Sequence, residues 1–512
     1  MRVSVLLAGL SGSVVLAAPL SNAASADGLP GNLFPQTIAT PSTSGPGLSV
    51  YVTNANSSFL LAANGGGSYV VSGAFTGDCN SDAAGGCWQL AVDDTASGHQ
   101  QTITGFGGAI TDTAVSVYNS LNVAQKAQFM IDFFTPAGLN FNLMRHTIGS
   151  SDLTPPNTNY TYDDTAGDAQ LSQFSLGKSG GDMLGFILAM KATNPLVKLV
   201  GASWSAPAWM KQNRAQQGWT GGDNYLNGYY TNAFANYFVK YLQAFARSGV
   251  VVDYLSVQNE PLNSNPNYPT MYVGANDMAN FTPLMARRLT ENNLSTKLMV
   301  YDHNTDQPGY PQAVLDAAAP AHASQLAVGW HCYATDTDWR TISAFAAANP
   351  GIEHFMTECW TSPTVPYSNV ADFSLGPLQN QASGVMTWTV ATDGRDGPAM
   401  PGSCTTCRGL VVVDTAAGTY THSLDYYMMG QFSKFIHRGA VALTTTGSYD
   451  YGHNAKFQAQ AFLNPDGSKV VVIENTFAGD HLHLTVTLKG GAVYSGKVLG
   501  EAVTTWVIAK GY

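Results

Sequence analysis

At 512 residues the chain exceeds one ordinary domain, and its 45% hydrophobic and 11% aromatic content supplies material for more than one core. A formal net charge of −11 argues against nucleic acid or an anionic membrane surface as the partner. With only 11% of residues charged, hydroxyl and amide groups must cover much of the surface, which suits a neutral, hydroxyl-rich ligand without demanding one.

Arg2 precedes an apolar run from Val3 to Leu20, and Ala24-Ser25-Ala26 supplies a small-x-small site. This predicts a secretory signal peptide over residues 1–26, cleaved after Ala26, and an extracellular protein. A membrane anchor fits less well, because Ser11-Gly12-Ser13 interrupts the run and no basic stop follows. No later stretch is apolar enough to span a bilayer. Residues 27–46, rich in Pro, Gly, Ser and Thr, predict a flexible arm.

Short alternating runs such as LSVYVTN and CWQLAVDD, separated by Gly and Asn clusters, predict strands over residues 47–101. From Thr102 the pattern changes to apolar runs alternating with amphipathic helices. The clearest helix carries Phe234, Tyr237, Phe238, Tyr241, Leu242 and Phe245 on one face, with Thr231 or Asn232 to cap it and Gly249 to end it. Eight buried strands can be counted: ITGFGGAI, FNLMRHTI, KLVGASWS, VDYLSVQN, KLMVYDHN, LAVGWHCY, IEHFMTEC and SGVMTWTV. Eight parallel strands with right-handed crossovers predict an α/β fold, a (β/α)8 TIM barrel, over residues 102–430. Alternation without helices returns over 431–512, and neither terminal segment has strands enough to bury both faces alone. The two are therefore expected to form one β-sandwich side domain from both chain ends.

Six cysteines fit an exported protein. Cys79 and Cys87 are expected to pair across a Gly/Asp-rich loop. Cys404 and Cys407 form one CxxC, either a tight disulfide or half a zinc site, and the lack of a second CxxC or a His pair at ligand spacing disfavours zinc. Cys332 and Cys359 are bridged only if their strands are neighbours. Asn56, Asn159, Asn280 and Asn293 begin glycosylation sequons, which presuppose surface positions.

Glutamate is scarce: the chain has six, and two of them, Glu260 and Glu358, end apolar strands. In a barrel of this kind chemistry is built at the C-terminal ends of the strands. Those ends read, in order, Asp112, Arg145, Trp204, Asn259-Glu260, Asp302-His303, His331, Tyr333, Glu358 and Trp388. Paired carboxylates, amides, imidazoles and aromatic rings, with no phosphate-binding glycine loop, point to cleavage of a glycosidic bond. The GFGG of residues 105–108 lacks the dinucleotide pattern and predicts close backbone packing instead. Arg145 is expected to support Glu358, since a buried guanidinium needs a carboxylate. His303 and His331 are expected to contact substrate, against the plainer reading of core histidines. No cofactor or metal is expected.

The stretches GFGGAITDTA, ASWSAPAWMK, SVQNEP, GWHCY and MTECW together resemble glycoside hydrolase family 30, which includes glucosylceramidases and fungal β-1,6-glucanases. The resemblance implies the same barrel and sandwich, and a retaining mechanism with Glu260 as acid/base and Glu358 as nucleophile. It implies that Asp112, Trp204, Asn259, Tyr333 and Trp388 contact the sugar next to the scissile bond, Asn259 through the 2-hydroxyl. His331-Cys332-Tyr333 stands where glucosylceramidases carry His-Trp-Tyr, and the cysteine pair in TDGRDGPAMPGSCTTCRG is lacking from the lysosomal enzymes. YDHNTD, residues 301–306, resembles the β-1,6-glucanase branch. The expected activity is thus an endo-β-1,6-glucanase acting as a monomer on a β-linked glucan, with membrane glycolipid second and β-1,6-galactan or xylan as further alternatives. Glu260 is expected to have a raised pKa while Glu358 stays ionised. An inactive carbohydrate-binding barrel would not need both glutamates, and a wall protein with a lipid anchor would need an apolar tail that TTWVIAKGY does not supply.

Overall fold

The computed structural model of the chain describes residues 47–76, 87–219, 224–318, 325–447, 449–451, 455–479 and 481–512. The expected leader and arm, and Cys79 of the expected Cys79–Cys87 pair, lie outside the described residues.

Eight parallel strands close a barrel: β1 (Gly105–Ile110), β2 (Leu143–Ile148), β3 (Lys198–Ser203), β4 (Tyr254–Ser256), β5 (Lys297–Asn304), β6 (Leu326–His331), β7 (Glu353–Glu358) and β8 (Ala382–Thr387). Each pairs with the next, and β8 returns to β1 through Gly384↔Gly105 and Thr387↔Gly108. The GFGG segment lets β1 sit tightly against both neighbours: a Cβ at Gly107 would fall 1.7 Å from the Leu143 carbonyl oxygen of β2, and one at Gly108 2.7 Å from the Thr387 hydroxyl of β8. The helix after β3, Thr231–Arg247, buries the predicted aromatic face. Thr231 does not cap it; its hydroxyl donates back to the Gly228 carbonyl at 2.9 Å.

Alternation along the strands builds the barrel floor. Leu143, Val200, Tyr254, Met299, Ala327, Phe355 and Met386, one from each of β2 to β8, pack as one buried apolar cluster. The other phase of each strand faces the surrounding helices and joins the large outer core.

The second body is a twisted set of strands drawn from both chain ends. Leu48–Asn54 runs antiparallel to Ala502–Ile508 through seven residue pairs, and Cys87–Asp93 lies between His481–Leu488 and Val441–Thr446. Its own core includes Val50, Val52, Trp88, Ile473, Val486 and Trp506. Cys332 and Cys359, on the neighbouring ends of β6 and β7, are bridged with Cα atoms 5.4 Å apart; Cys404 and Cys407 are bridged at 5.5 Å. The four sequon asparagines are exposed. Among the described residues, no helix is long and apolar enough to cross a membrane.

Candidate active site

Above the floor the strands stop alternating regularly, and polar side chains turn inward. On β5, period-2 alternation from Met299 would send Tyr301 into the barrel and Asp302 out. The opposite occurs. Tyr301 and Asp302 both adopt left-handed backbone (φ 78° and 55°), pairing with β6 slips between Tyr301 and His303, and Tyr301 joins the outer core while Asp302 points inward. Glu260, just past β4, is also left-handed (φ 44°), and its amide donates to the Asp302 carbonyl at 3.1 Å. Such conformations cost about 1–2 kcal/mol each for non-glycine residues. Here they aim two carboxylates into the mouth.

Arg145 of β2 is fully buried at the centre. Its Nη1 donates to Glu358 Oε2 at 2.6 Å, and its Nη2 donates to Asp302 Oδ2 at 2.9 Å and to Asn259 Oδ1. Its guanidinium lies 4.8 Å from the Trp204 ring and 5.9 Å from Trp388, which stack on each other at 5.3 Å. His331 of β6 is equally buried: Nδ1 donates to Glu260 Oε1 and Nε2 to Asp302 Oδ1, both at 3.1 Å. Burial alone would depress this imidazole. The charge of Glu358, the hydrogen bonds to Asp302 and Glu260, and the charge of Asp302 outweigh it and raise the pKa to about 9. Asp302 also accepts from Thr357 Oγ1 at 2.7 Å, and Arg145 and His331 hold it far below the usual carboxylate range against its burial.

Glu358 Oε1 accepts the Tyr333 hydroxyl at 3.1 Å, and Glu260 Oε2 accepts from Asn263 Nδ2 at 2.8 Å. One oxygen of Glu260, one of Glu358 and a ring nitrogen of His331 all lie within 4.8 Å of one another. Two cations, Arg145 and protonated His331, face three carboxylates, so the cluster is neutral when one proton is shared between the two glutamates. Burial pushes Glu358 up despite His331 and Arg145. Burial also pushes Glu260 up, but the His331 hydrogen bond, the charges of His303 and His331 and the Asn263 bond overcome it and hold Glu260 below the usual carboxylate range. This order is the reverse of the one expected from sequence, because His331 bonds directly to Glu260 and Arg145 divides its donors among three partners.

Trp204, Asn259, Glu260, Tyr333, Glu358 and Trp388 line a cleft of about 270 Å³ at the barrel mouth. Arg145 and His331 lie behind that lining. His303 stands beside them, its ring 6.2 Å from His331 and its Nδ1 without a partner. Asp112 lies outside the lining and accepts from Thr154 Oγ1 at 2.7 Å and Tyr160 OH at 2.9 Å, with burial raising its pKa to about 7. It anchors the loop that carries Asp152. Sequence reasoning missed Asp152, Tyr268 and Trp360 and did not place the Cys404–Cys407 bridge here, though all of them line the cleft. Each follows a barrel strand, which is the signal that could have found them. Burial and the charges of Glu358 and Glu260 raise Asp152 to about 7.

The chain matches the family description "Glycosyl hydrolase family 30 TIM-barrel domain" over residues 103–436 and "Glycosyl hydrolase family 30 beta sandwich domain" over 439–506. It is 48% identical over 430 residues to an endo-1,6-beta-D-glucanase of Neurospora crassa, covering 82% of this chain and 88% of the relative. A second endo-1,6-beta-D-glucanase, from Aspergillus fumigatus, is 47% identical over 435 residues, with the same coverages of 82% and 88%. A solved endo-beta1,6-glucanase superposes with a TM-score of 0.77 at 26% identity, covering 91% of this chain and 99% of that one.

Proposed function

We propose that this chain, which belongs to glycosyl hydrolase family 30 and is a glycoside hydrolase, is a secreted, retaining endo-β-1,6-glucanase that works as a monomer. The observation that carries the mechanism is the approach of Glu260 and Glu358 to within 4.8 Å. Retaining enzymes hold their carboxyl groups about 5–5.5 Å apart, whereas inverting ones leave about 6.5–9.5 Å for a water. The linkage is supported by the β-1,6-glucanase relatives. The exposed sequons and two disulfides support an oxidising, extracellular setting, as does the leader expected over residues 1–26. Residues 102–430 are taken as the catalytic body, with 47–101 and 431–512 as the sandwich beside it.

In this reading Glu358 attacks the anomeric carbon and Glu260 protonates the departing glycosidic oxygen; water activated by Glu260 then releases the sugar with β configuration. Attack needs the shared proton on Glu260. Its side chain is 14% exposed, so an arriving sugar strips water from it and raises its pKa, while Glu358 is already buried and keeps Arg145 and Tyr333 as donors to its anion. Asn259 gives its oxygen to Arg145, leaving Nδ2 to donate to the 2-hydroxyl. Trp204 and Trp388 offer ring faces to the C–H face of the sugar, and Asp152 takes hydroxyl hydrogens.

A product profile against pustulan, β-1,6-galactan, xylan, laminarin and glucosylceramide tests the linkage. Pustulan cut to short oligosaccharides is the expected result; action on glucosylceramide alone would overturn the reading.

A further inference from the structure

Five exposed large aromatic residues occur among the described residues, and four of them, Trp219, Tyr225, Tyr229 and Tyr272, come from the loops after β3 and β4. Solvated aromatic rings concentrated in this way are unusual for a surface with no apolar function. A hydrogen-bonded strip leads outward from the acid/base to three of them. Asn263 donates its amide proton to the Glu260 carbonyl and its side-chain proton to the Glu260 carboxylate, each at 2.8 Å. The next residue, Ser264, clasps the Trp219 backbone: its Oγ accepts from the Trp219 amide at 3.3 Å and donates to the Trp219 carbonyl at 2.5 Å. Asn224 Nδ2 donates to the same Ser264 hydroxyl at 3.1 Å, and the Asn224 carbonyl accepts from the Tyr272 amide at 2.7 Å, next to Tyr225. Trp219, Tyr225 and Tyr272 are 52%, 41% and 43% exposed, although their backbones are tied down. Rings held by the main chain and left uncovered are preorganised to stack on a ligand.

The position of this strip decides the ligand. It begins at the residue that protonates the leaving oxygen, so it lies on the leaving-group side of the scissile bond. We propose that Trp219, Tyr225 and Tyr272 form a stacking platform for the glucan chain beyond the cleaved linkage, and that this platform makes the enzyme prefer long chains. The proposal rests on the endo-β-1,6-glucanase reading. A neutral polysaccharide fits because the strip presents ring faces and amide or hydroxyl groups (Asn224, Asn263, Ser264). Successive sugars can then stack with hydroxyls directed to the amides. Only binding of the distal chain is involved; the bonds made and broken stay at Glu260 and Glu358.

The test compares two substrates in Trp219→Ala, Tyr225→Ala, Tyr272→Ala and the triple variant: soluble pustulan, and an aryl β-glucoside that ends at the scissile bond. The ratio of pustulan to aryl-glucoside kcat/KM is expected to fall about threefold in each single variant and about tenfold or more in the triple, through KM on the polymer. Trp219→Phe, which restores a ring, should recover most of the ratio. In Glu358→Gln protein, electrophoretic retardation by pustulan should likewise weaken when the three rings are removed. Equal losses on both substrates would show a structural role and overturn the proposal. So would an unchanged ratio, or glucan retardation that stays intact when the three rings are removed. If the unaltered enzyme cleaves a different polymer and leaves pustulan untouched, the linkage reading falls by itself, and the same comparison on that polymer still decides the platform.

Discussion

The floor and the mouth of the barrel are built by the same strands, often two residues apart, yet they follow different rules. On β2, Leu143 belongs to the floor and Arg145, two residues on, to the mouth; on β5 the step from Met299 to Asp302 is three residues. The floor is regular alternation with apolar side chains, and a side chain there is explained by area removed from water. The mouth takes its cations, Arg145 and His331, from continued alternation but turns carboxylates inward by breaking it, with left-handed residues at 260, 301 and 302 and a slip in pairing, and its side chains are explained by who neutralises whom. Packing specifies the scaffold, and charge pairing specifies the site.

The widest separation between the two layers is expected for Glu358→Gln, which should lower glucan hydrolysis on the order of 10⁴-fold or more with the melting temperature little changed. Glu260→Gln should keep the first step on substrates with good leaving groups while losing polymer hydrolysis, which pre-steady-state release of an aryl leaving group would reveal. Next in size is Arg145→Met, which leaves Asp302 and Glu358 without their shared cation. Denaturant melts should show a loss of about 3–5 kcal/mol together with loss of activity. Replacing Arg145 and Asp302 together by apolar residues should recover part of that stability and none of the hydrolysis. Phe355→Ala, on the floor, should cost about 3–4 kcal/mol by leaving a cavity. Assayed well below its melting point, it should retain kcat on a small substrate within about tenfold.

A smaller effect separates the layers by pH. His331 titrates at about 9 when folded, against an ordinary value of 6.5. Its contribution to stability is therefore complete below pH 6.5 and is lost as the pH rises through 9. Melting curves across that range should show this decline in the unaltered protein and a flatter limb in His331→Phe. Phe355→Ala, which removes no titrating group, should lower the whole profile without changing its shape.

The same division governs how far the molecule could be read from its sequence. The floor strands carry their burial in their composition, so eight apolar runs lead directly to the barrel. Glu260 and Glu358 stood out because glutamate is scarce and both end such runs. Asp302 was visible only as a neighbour of His303, since nothing local announces that Tyr301 will turn out and Asp302 turn in. His331 appeared as a sugar contact, but its two nitrogens both face carboxylates, and that pairing depends on a residue 29 positions away and another 71 away. Asp152, Tyr268 and Trp360 sit on loops, where no period marks an inward direction. The environments that shift the two glutamates were illegible for the same reason, because they are set by partners distant in the chain.

Proton NMR of the sugar released in the first minutes of hydrolysis tests the carboxylate pair most directly. Two carboxylates this close leave no room for water to attack from the far side, so the first product should carry the β configuration and only later mutarotate. A first product with the α configuration would contradict the account, because it would require the two acids to act across a water-filled gap.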